Sequence, residues 1–412
     1  MKHIYLWGAG KGCKKVLKNV KKKKVHIMGI IDNNPKLIGN RIEQISVLSY
    51  SQIKPEYDYI VITAVKYEPI AYQLKRESVG LDRVISYYNM EDCNNNKGHI
   101  FKGKAWKIDL LEYKLEQLEK TMDIRMRNMG YEIIDRWNGG KYQLPVVREA
   151  EEAVNKIVNE KKSLLRFGDG EFEIIAGKNR AVFQSCNELL SARLREAIMT
   201  EDDRILIAIA NNYGSLAEYT DDVADGIRRY MSEEVRGQHQ AVLSDRTYYD
   251  AYLFKGYFPY RDKTLARQRY DLVKKIWDKR QVVLIEGDMT RTGCGNDLLD
   301  NALGVERILG PTTEAFAYYQ DLLQEVRKLS KDKLILVALG PAGKVLGYDL
   351  IQEGYQVVDI GQLDMDYEWY LAGAEYRISN PNKYVSQLPT AYVGDWEEEA
   401  YYHQILARVG VK

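Results

Sequence analysis

The chain has 412 residues, of which 45% are hydrophobic and 29% charged, and its 60 basic and 59 acidic side chains leave a formal net charge of +1. These are globular proportions in a chain long enough for two domains, and the balanced charge gives no reason to expect a nucleic-acid partner. No stretch approaches the ~20 apolar residues of a membrane span, and the amino terminus has too short an apolar run for a signal peptide. We therefore expect a cytoplasmic protein without a membrane span.

Residues 3–88 alternate between apolar strand patterns and helical patterns, which predicts a parallel sheet. The first turn, GAGKGC, resembles a dinucleotide-binding fingerprint, although Cys13 stands where the pattern places Gly or Ala. The candidate residues for NAD or another nucleotide are Gly8, Gly10, Gly12 and Asp32. The alternative is a Rossmann-like module kept for structure or regulation.

A polar, Gly-containing stretch at 91–105 predicts a domain boundary near residue 100. Beyond it, apolar residues recur at spacings of three and four from Ile108 to Ile133, which predicts one long amphipathic helix. The predicted domains are therefore 1–100, a connecting helix at 101–140 and 141–412. The helix is either a homodimer seam or a surface that packs on its own domain.

The remainder of the chain again alternates, and informative polar loops follow five predicted strands: SLLRF, RILIAIA, QVVLIEG, KLILVALG and YQVVDIG. In an open parallel sheet the carboxyl ends of the strands line one crevice where ligands bind. We therefore predict an α/β protein of two Rossmann-like parallel-sheet domains, with these polar loops converging in the second one.

Chemistry by histidine or cysteine has little support, because the four cysteines and five histidines are scattered and no Cys-x-x-Cys pair occurs. Carboxylates are the better candidates. In RFGDGEFE, the glycines around Asp169 permit a sharp turn that points Asp169 and Glu171 at one position, a pair suited to Mg²⁺ or Mn²⁺. Arg166 and Gly168 adjoin this pair and are candidate contacts for phosphate.

Three further loops carry candidate site residues. EGDMTRTGCGNDLLDNA opens a helix whose amide groups are able to meet an anion, with Arg291, Asn296 and Asp297 as candidates. ALGPAGKVLGYDL allows close approach of a phosphate or ribose at Gly340 and Pro341. GQLDMDYEW supplies the candidate ligand-binding or catalytic acids Asp364, Asp366 and Glu368, one of which is placed to accept a proton from an acceptor hydroxyl. For each loop the alternative is an ordinary helix cap.

These four motifs, in this order, resemble those of the GT-D type glycosyltransferases, a family first catalogued as bacterial domain of unknown function 1792. The resemblance covers about residues 141–412 and departs from the family pattern at Gln362, where His is expected, and at Thr292-Gly-Cys294. It implies that Asp169 and Glu171 form the metal and nucleotide-sugar motif, with Mn²⁺ or Mg²⁺ as cofactor. It also implies transfer of a hexose, typically glucose from UDP-glucose, to a glycan or glycoprotein acceptor in bacterial surface glycosylation.

Two alternatives remain from the sequence. The first is an NAD-dependent sugar oxidoreductase or epimerase that uses the GAGKGC turn and Asp32, although no Tyr-x-x-x-Lys pair follows the last strand of that half. The second is a non-catalytic scaffold of a glycosylation complex, with the 108–133 helix as its docking surface.

Overall fold

The structure is a computed structural model that describes residues 1–20, 25–34, 36–64, 70, 73–74, 79, 83–87, 118–119, 122, 126, 129–130, 133, 144–178, 184–375, 377–385, 393–394 and 396–411. Contacts divide the chain into two compact units, Met1–Asp123 and Ile124–Lys412. The predicted boundary near residue 100 and most of the predicted connecting helix lie outside the described residues, so both stay predictions.

In the described part of the first unit, six strands form one sheet in the order β3-β4-β2-β1-β5-β6. The strands are β1 (Lys2–Trp7), β2 (Val25–Ile31), β3 (Arg41–Ile42), β4 (Ile45–Leu48), β5 (Tyr59–Ile62) and β6 (Val84–Ser86), and helix α1 is Lys11–Asn19. All neighbours pair in parallel except β3 and β4. Without β3, this is the strand order of half a doubly wound sheet.

Both faces of this first sheet are covered, which explains its continuous apolar strands. Along β1, Ile4 and Leu6 face one buried cluster while Tyr5 and Trp7 face another. The predicted strands of this unit are therefore found, and the short hairpin of β3 and β4 is an addition that the sequence pattern did not predict. Strand β4 of this hairpin, ISVL, is only partly buried. Its four residues are too few to show a clear alternation of apolar and polar side chains.

In the described part of the second unit, nine strands form an all-parallel sheet in the order β15-β12-β11-β13-β14-β8-β9-β10-β7. The strands are β7 (Val146–Arg148), β8 (Ser163–Phe167), β9 (Ile205–Ile209), β10 (Thr247–Asp250), β11 (Gln281–Gly287), β12 (Gly304–Gly310), β13 (Leu334–Ala338), β14 (Gln356–Asp359) and β15 (Ile405–Arg408). The prediction of an α/β protein with parallel sheets is confirmed.

Helices cover both faces of this second sheet: α2 (Ala150–Asn159), α3 (Asp169–Ile175), α4 (Glu188–Ile198), α5 (Asp221–Tyr230), α6 (Glu233–Gln240), α7 (Ala266–Lys274), α8 (Tyr319–Val326), α9 (Gly340–Gln352), α10 (Leu363–Leu371) and α11 (Glu399–His403). Helix α9 lies very close to the sheet, because a Cβ at Gly343 would come within 2.6 Å of Val337 Cγ1. In the part of the chain that the structure describes, no helix has the length and apolar character needed to cross a membrane.

Five apolar residues of the predicted 108–133 helix are described: Leu118, Met122, Met126, Met129 and Ile133. Each lies at a helical position, and their exposed fractions range from 45% to 68%. At the 3.6-residue spacing of the predicted helix they fall within an arc of about 80°. The predicted helix would therefore carry them on one stripe, and each is exposed with respect to the described part of the chain. The homodimer stays a prediction.

Candidate functional site

The predicted acidic pair lies in the first turn of α3, directly after the buried strand β8. Gly168 caps the helix, and Glu171 accepts a hydrogen bond from the Gly168 amide at 2.9 Å. Acidic side chains are favoured here because the first turn of a helix carries partial positive charge. Residues two apart on a helix do not face each other, so regular helix geometry replaces the sharp turn that we expected to point both acids at one position.

Glu171 faces a buried lysine that the sequence analysis did not single out. Lys344, the fifth residue of α9, lies 3.2 Å from Glu171 Oε1 and 3.0 Å from Oδ2 of Asp359, the last residue of β14. Burial lowers the pKa of the Lys344 ammonium, but the carboxylates of Asp359 and Glu171 outweigh it, and the net shift is upward. The ammonium therefore stays charged between two acids.

Arg166 lies beside the same Asp359 and is bound to the segment that follows β10. Its Nη1 donates to the carbonyl of Ala251 at 2.9 Å, and its Nη2 lies 3.9 Å from Asp359 Oδ1. The guanidinium passes above Gly361, whose φ is +52° and whose missing Cβ would lie 1.8 Å from Arg166 Nη2. Arg166, Gly168, Glu171 and Asp359 are thus brought together at the carboxyl ends of β8 and β14, as the sheet order predicts.

Asp169, at the first position of α3, is exposed. Its negative charge raises the pKa of His239, opposing burial and Arg236, which together lower that pKa to about 3. It also raises the pKa of Tyr252 beyond its ordinary value, after the larger effects of burial and of Asp250. The two acids therefore interact with different side chains: Glu171 with Lys344, and Asp169 with His239 and Tyr252.

His239 is a buried residue that holds α3 in place. Its ring stacks on Phe172 with centroids 3.8 Å apart. The hydroxyl of Tyr213 lies 2.6 Å from Nδ1 and that of Tyr230 lies 3.1 Å from Nε2. The ring is only 4% exposed, so it acts as a packed polar core residue beside the acidic pair.

Asp366, predicted as a catalytic acid, is 2% exposed, and both of its carboxylate oxygens accept hydrogen bonds. Its oxygens accept hydrogen bonds from the amides of Tyr257 at 2.9 Å and Phe258 at 3.1 Å, and from the Tyr270 hydroxyl at 2.7 Å. These bonds anchor the segment that follows β10 to helix α10. The arrangement favours a positioning role for Asp366 over proton transfer.

Asp364 and Glu368 lie one helical turn apart on α10 and share the ammonium of Lys383, at 2.7 Å from each. Asn296 donates to Asp364 at 3.0 Å and to Glu368 at 2.6 Å, and the amide of Gly293 donates to Asp364 at 2.8 Å. Burial lowers the pKa of Lys383, but Asp364 and Glu368 raise it further, so the net shift is upward. Asn296 and Asp364 are therefore close together, as predicted for one loop cluster, but their contacts are with each other and with α10.

The other predicted residues of the β11 loop also make internal contacts. Arg291, 9% exposed, donates to the carbonyls of Asn382 at 2.7 Å and Gly394 at 2.8 Å. Asp297 accepts from the Tyr367 hydroxyl at 2.6 Å and from Lys274 at 2.9 Å. The loop lies at β11, two strands from β14 in the sheet order, so it is a second cluster beside the one at β8.

Gly340 and Pro341 open helix α9 at the carboxyl end of β13, where the predicted phosphate or ribose contact stays a prediction. In the first unit, Asp32 accepts hydrogen bonds from the amides of Ala9 at 2.7 Å and Asn34 at 2.8 Å. These bonds fix the turn that contains Gly8, Gly10 and Gly12. They explain Asp32 structurally, and nucleotide binding at this turn stays a prediction.

Sequence reasoning missed four polar residues of the second unit: Lys255, Lys344, Asp359 and Asp250. Lys344 stands inside the quoted motif ALGPAGKVLGYDL and Asp359 inside the quoted strand YQVVDIG, so a charged residue within a buried segment was the available signal. Asp250 ends β10, and its Oδ1 accepts from the Tyr252 amide at 2.9 Å. Burial raises the pKa of Asp250 to about 7, with Glu218 adding to the shift. A carboxyl that titrates near neutrality at a strand end is a candidate for proton transfer.

The carboxylates in the first turn of α3 suit a hard divalent cation whose other ligands come mainly from the substrate. Mg²⁺ and Mn²⁺ accept one or two protein carboxylates and complete their shells with phosphate oxygens and water. Asp169 is exposed enough to serve, while Glu171 shares its charge with Lys344. Within the described residues, no group of three or more His, Cys, Asp or Glu side chains is placed to hold a metal ion, so an all-protein zinc site does not fit there.

Comparisons with known proteins agree with this architecture. The family described as "Glycosyltransferase GT-D fold" matches residues 164–388, more than half of the chain, and "C2185-like, N-terminal" matches residues 1–85. The first unit is thus similar to this second family, and the match does not confirm the predicted Rossmann-like module there.

Two curated streptococcal relatives are similar in sequence. The chain is 28% identical over 328 residues to "Glycosyltransferase GlyD" of Streptococcus pneumoniae serotype 4, covering 79% of this chain and 38% of that protein. It is 31% identical over 265 residues to "Probable glycosyl transferase Gly" of Streptococcus gordonii, covering 64% of this chain and 39% of that protein. The chain thus spans about two fifths of the length of these relatives.

Solved structures give the same result. "A New Glycosyltransferase (DUF1792) from Streptococcus sanguinis" superposes with a TM-score of 0.62 at 29% identity, over 65% of this chain and 100% of that one. A structure described as showing that domain 1792 "has a distinct glycosyltransferase fold" superposes with a TM-score of 0.62 at 28% identity, over 69% of this chain and 100% of that one. The resemblance seen in the four motifs is confirmed, and the chain belongs to the glycosyltransferase GT-D fold family.

Proposed function

We propose that this chain is a metal-dependent hexosyltransferase that moves glucose from UDP-glucose to a glycan or glycoprotein acceptor. We further propose that it acts in the cytoplasm, in bacterial surface glycosylation. The observation that carries the proposal is the acidic first turn of α3, which directly follows β8: its Glu171 pairs with Lys344, and Arg166 lies beside Asp359, the second partner of that lysine. Membership of the family and the streptococcal relatives named as glycosyltransferases support it.

The donor end of the site combines one exposed carboxylate with fixed positive charge. Asp169 would hold Mn²⁺ or Mg²⁺, with Glu171 as the neighbouring acid. The ion, when bound, neutralises charge on the departing nucleoside diphosphate. Lys344 is kept protonated by its two carboxylates, and Arg166 is fixed by its bond to Ala251, so neither cation needs to move when an anion arrives.

The acceptor end needs a group that takes a proton from a hydroxyl. Asp366 already accepts three hydrogen bonds, so we assign it to positioning. Glu368 is more accessible, with 21% of its side chain exposed, but its Oε1 already pairs with the Lys383 ammonium at 2.7 Å. Asp250 has the pKa that suits a general base. Asp250 and Glu368 are therefore the two candidates for this role.

The oxidoreductase alternative gains no specific support from the geometry. It needs the Asp32 carboxylate for a ribose hydroxyl, but both Asp32 oxygens accept backbone hydrogen bonds. The acidic turn at Asp169 would also have no task in hydride transfer.

A thermal-shift panel of nucleotide sugars tests the proposal. A ligand that binds the folded state alone raises the melting temperature, so UDP-glucose with Mn²⁺ is expected to stabilise the protein more than UDP-glucose with EDTA. GDP-mannose and ADP-glucose serve as controls for the base. The proposal fails if no nucleotide sugar changes the melting temperature with either cation. Release of UDP from UDP-glucose in the presence of Mn²⁺ then checks the chemical step.

A further inference from the structure

The segment that follows β10 gathers three cations near Asp169. It contains the 3-10 helix Ala251–Phe254 and continues through Lys255 to Phe258. Each cation faces one aromatic ring of this segment: Arg166 with Phe254 at 5.3 Å, Lys255 with Tyr252 at 5.3 Å and Arg377 with Phe258 at 4.8 Å. Such contacts orient a cation and leave its hydrogen-bond donors available.

Lys255 is one cation of this group with unused donors. It is half-buried, yet among the described residues its ammonium makes no hydrogen bond or ion pair. Lys263, on the same stretch of chain, shows the contrast, because its ammonium donates to the carbonyls of Tyr257 at 2.8 Å and Phe258 at 3.0 Å. A half-buried ammonium with three N–H groups and no protein acceptor is costly to keep unless a ligand or water accepts from it.

The surrounding charges place Lys255 within the field of the candidate metal ligand. Burial lowers the pKa of the Lys255 ammonium and the charge of Arg166 lowers it further, while Asp169 raises it. Arg377 adds a second lowering effect. Arg166 and Arg377 thus repel the Lys255 ammonium, which the carboxylates of Asp169 and Asp366 attract. An anionic ligand would relieve this repulsion and use the donors that the protein leaves unpaired.

We propose that Lys255, with Arg166 beside it and Arg377 at the rim, binds the diphosphate of the nucleotide-sugar donor. This inference rests on the proposed function and assigns a task that the acidic turn does not fulfil. A diphosphate that reaches a cation at Asp169 also lies within the field of Lys255, so the lysine carries part of the leaving group's charge. The binding of UDP is therefore only partly dependent on metal.

Isothermal titration of UDP into the full chain tests the inference, both in EDTA and in Mn²⁺. Loss of one charge-assisted contact is expected to weaken UDP binding by about tenfold to a hundredfold in K255Q, in both buffers. K255R keeps the charge and is expected to stay within about threefold of the unchanged chain. K328Q is the matched control, because Lys328 is 66% exposed and pairs with Glu325 outside the site.

Thermal unfolding without ligand separates a binding role from a structural one. Removing an unpaired, half-buried charge is expected to leave the melting temperature of K255Q unchanged or higher. A lower melting temperature together with equal loss in K255R would mark Lys255 as structural and overturn the inference. If the unchanged chain binds UDP and K255Q binds it equally well, the inference falls and the proposed function stands. If the unchanged chain binds neither UDP nor UDP-glucose, the proposed function falls and the inference falls with it.

Discussion

At the scale of single residues, Lys344 is the side chain on which the acidic centre depends. It is 4% exposed, and Asp359, which it neutralises, is 1% exposed. Removing one partner of a buried ion pair leaves the other charge without compensation, which typically costs 3 to 5 kcal/mol. We expect K344M to lower the free energy of unfolding by about 3 kcal/mol, measured by urea denaturation.

K328M provides the matched control for that prediction, since it removes a lysine from an exposed pair with Glu325. Exposed pairs contribute at most about 1 kcal/mol. Equal losses in K344M and K328M would show that the buried network contributes little to stability.

His239 gives the fold a dependence on pH. Burial and the charge of Arg236 lower its pKa from 6.5 to about 3. The unfolded chain therefore takes up a proton as the pH falls through 6.5, while the folded chain does not, and stability decreases toward acidic pH. Between pH 7 and pH 5 this group alone should reduce the free energy of unfolding by about 2 kcal/mol.

The variant H239Q isolates that contribution, because glutamine does not titrate. Urea denaturation at pH 7 and pH 5 should show a loss about 2 kcal/mol smaller in H239Q than in the unchanged chain. The assignment is wrong if both proteins lose the same stability between these two values.

At the scale of elements, the turn between β14 and α10 fixes the position of Arg166 over the sheet. Gly361 has a φ of +52° and a missing Cβ that would meet Arg166 Nη2, whereas Gly373, just after α10, has a φ of +57° and no atom within 4 Å of its missing Cβ. Alanine at either position costs about 1 kcal/mol for the left-handed backbone. We expect only G361A also to displace the guanidinium and to weaken UDP binding, by about tenfold.

Titration calorimetry of G361A against G373A checks this, because the two variants share the backbone strain and differ in the clash. Equal UDP affinities in the two would mean that Arg166 does not act on the donor.

Elements with strong local patterns were predictable, and those defined by distant partners were not. Strands β8, β9, β11, β13 and β14 are continuous apolar runs and were found from the sequence. Strand β12 was missed because Glu306 and Arg307 interrupt its pattern. Arg307 is nevertheless 2% exposed, since its charge is paired with Glu286 on the neighbouring strand β11. Because Glu286 and Arg307 are distant in the sequence, no short stretch of sequence reveals their pairing.

The same distinction applies to the candidate site. The positions of Asp169, Glu171 and Arg166 after β8 follow from the rule that parallel strands meet at their carboxyl ends. The contacts of these residues do not follow from that rule. Lys344, Asp359 and the segment after β10 are distant in the sequence, and the order of the strands in the sheet brings them close. Asp366 and Arg291 show the same limit: local sequence shows a polar loop, but not that Tyr270 contacts Asp366 or that the Asn382 carbonyl contacts Arg291.

At the scale of the whole molecule, the predicted 108–133 helix is the predicted seam for self-association, and its described apolar residues Leu118, Met122, Met126, Met129 and Ile133 are exposed. A double substitution, M126E with I133E, should convert a dimer to a monomer, because a charge in an apolar helix seam opposes association. Light scattering coupled to size-exclusion chromatography measures this. M199E is the control, since Met199 is 50% exposed and follows α4. A monomeric unchanged chain would contradict the predicted seam.

The central claim is that Asp169 binds a divalent cation that carries the charge of a departing UDP. The most direct measurement is the effect of Mn²⁺ on UDP affinity in the unchanged chain, in D169N and in D221N. Asp221 is a matched control because it too is an exposed acid at the first position of a helix, α5. Mn²⁺ should raise UDP affinity at least about tenfold in the unchanged chain and in D221N, and not in D169N. The same manganese effect in all three proteins would contradict the account.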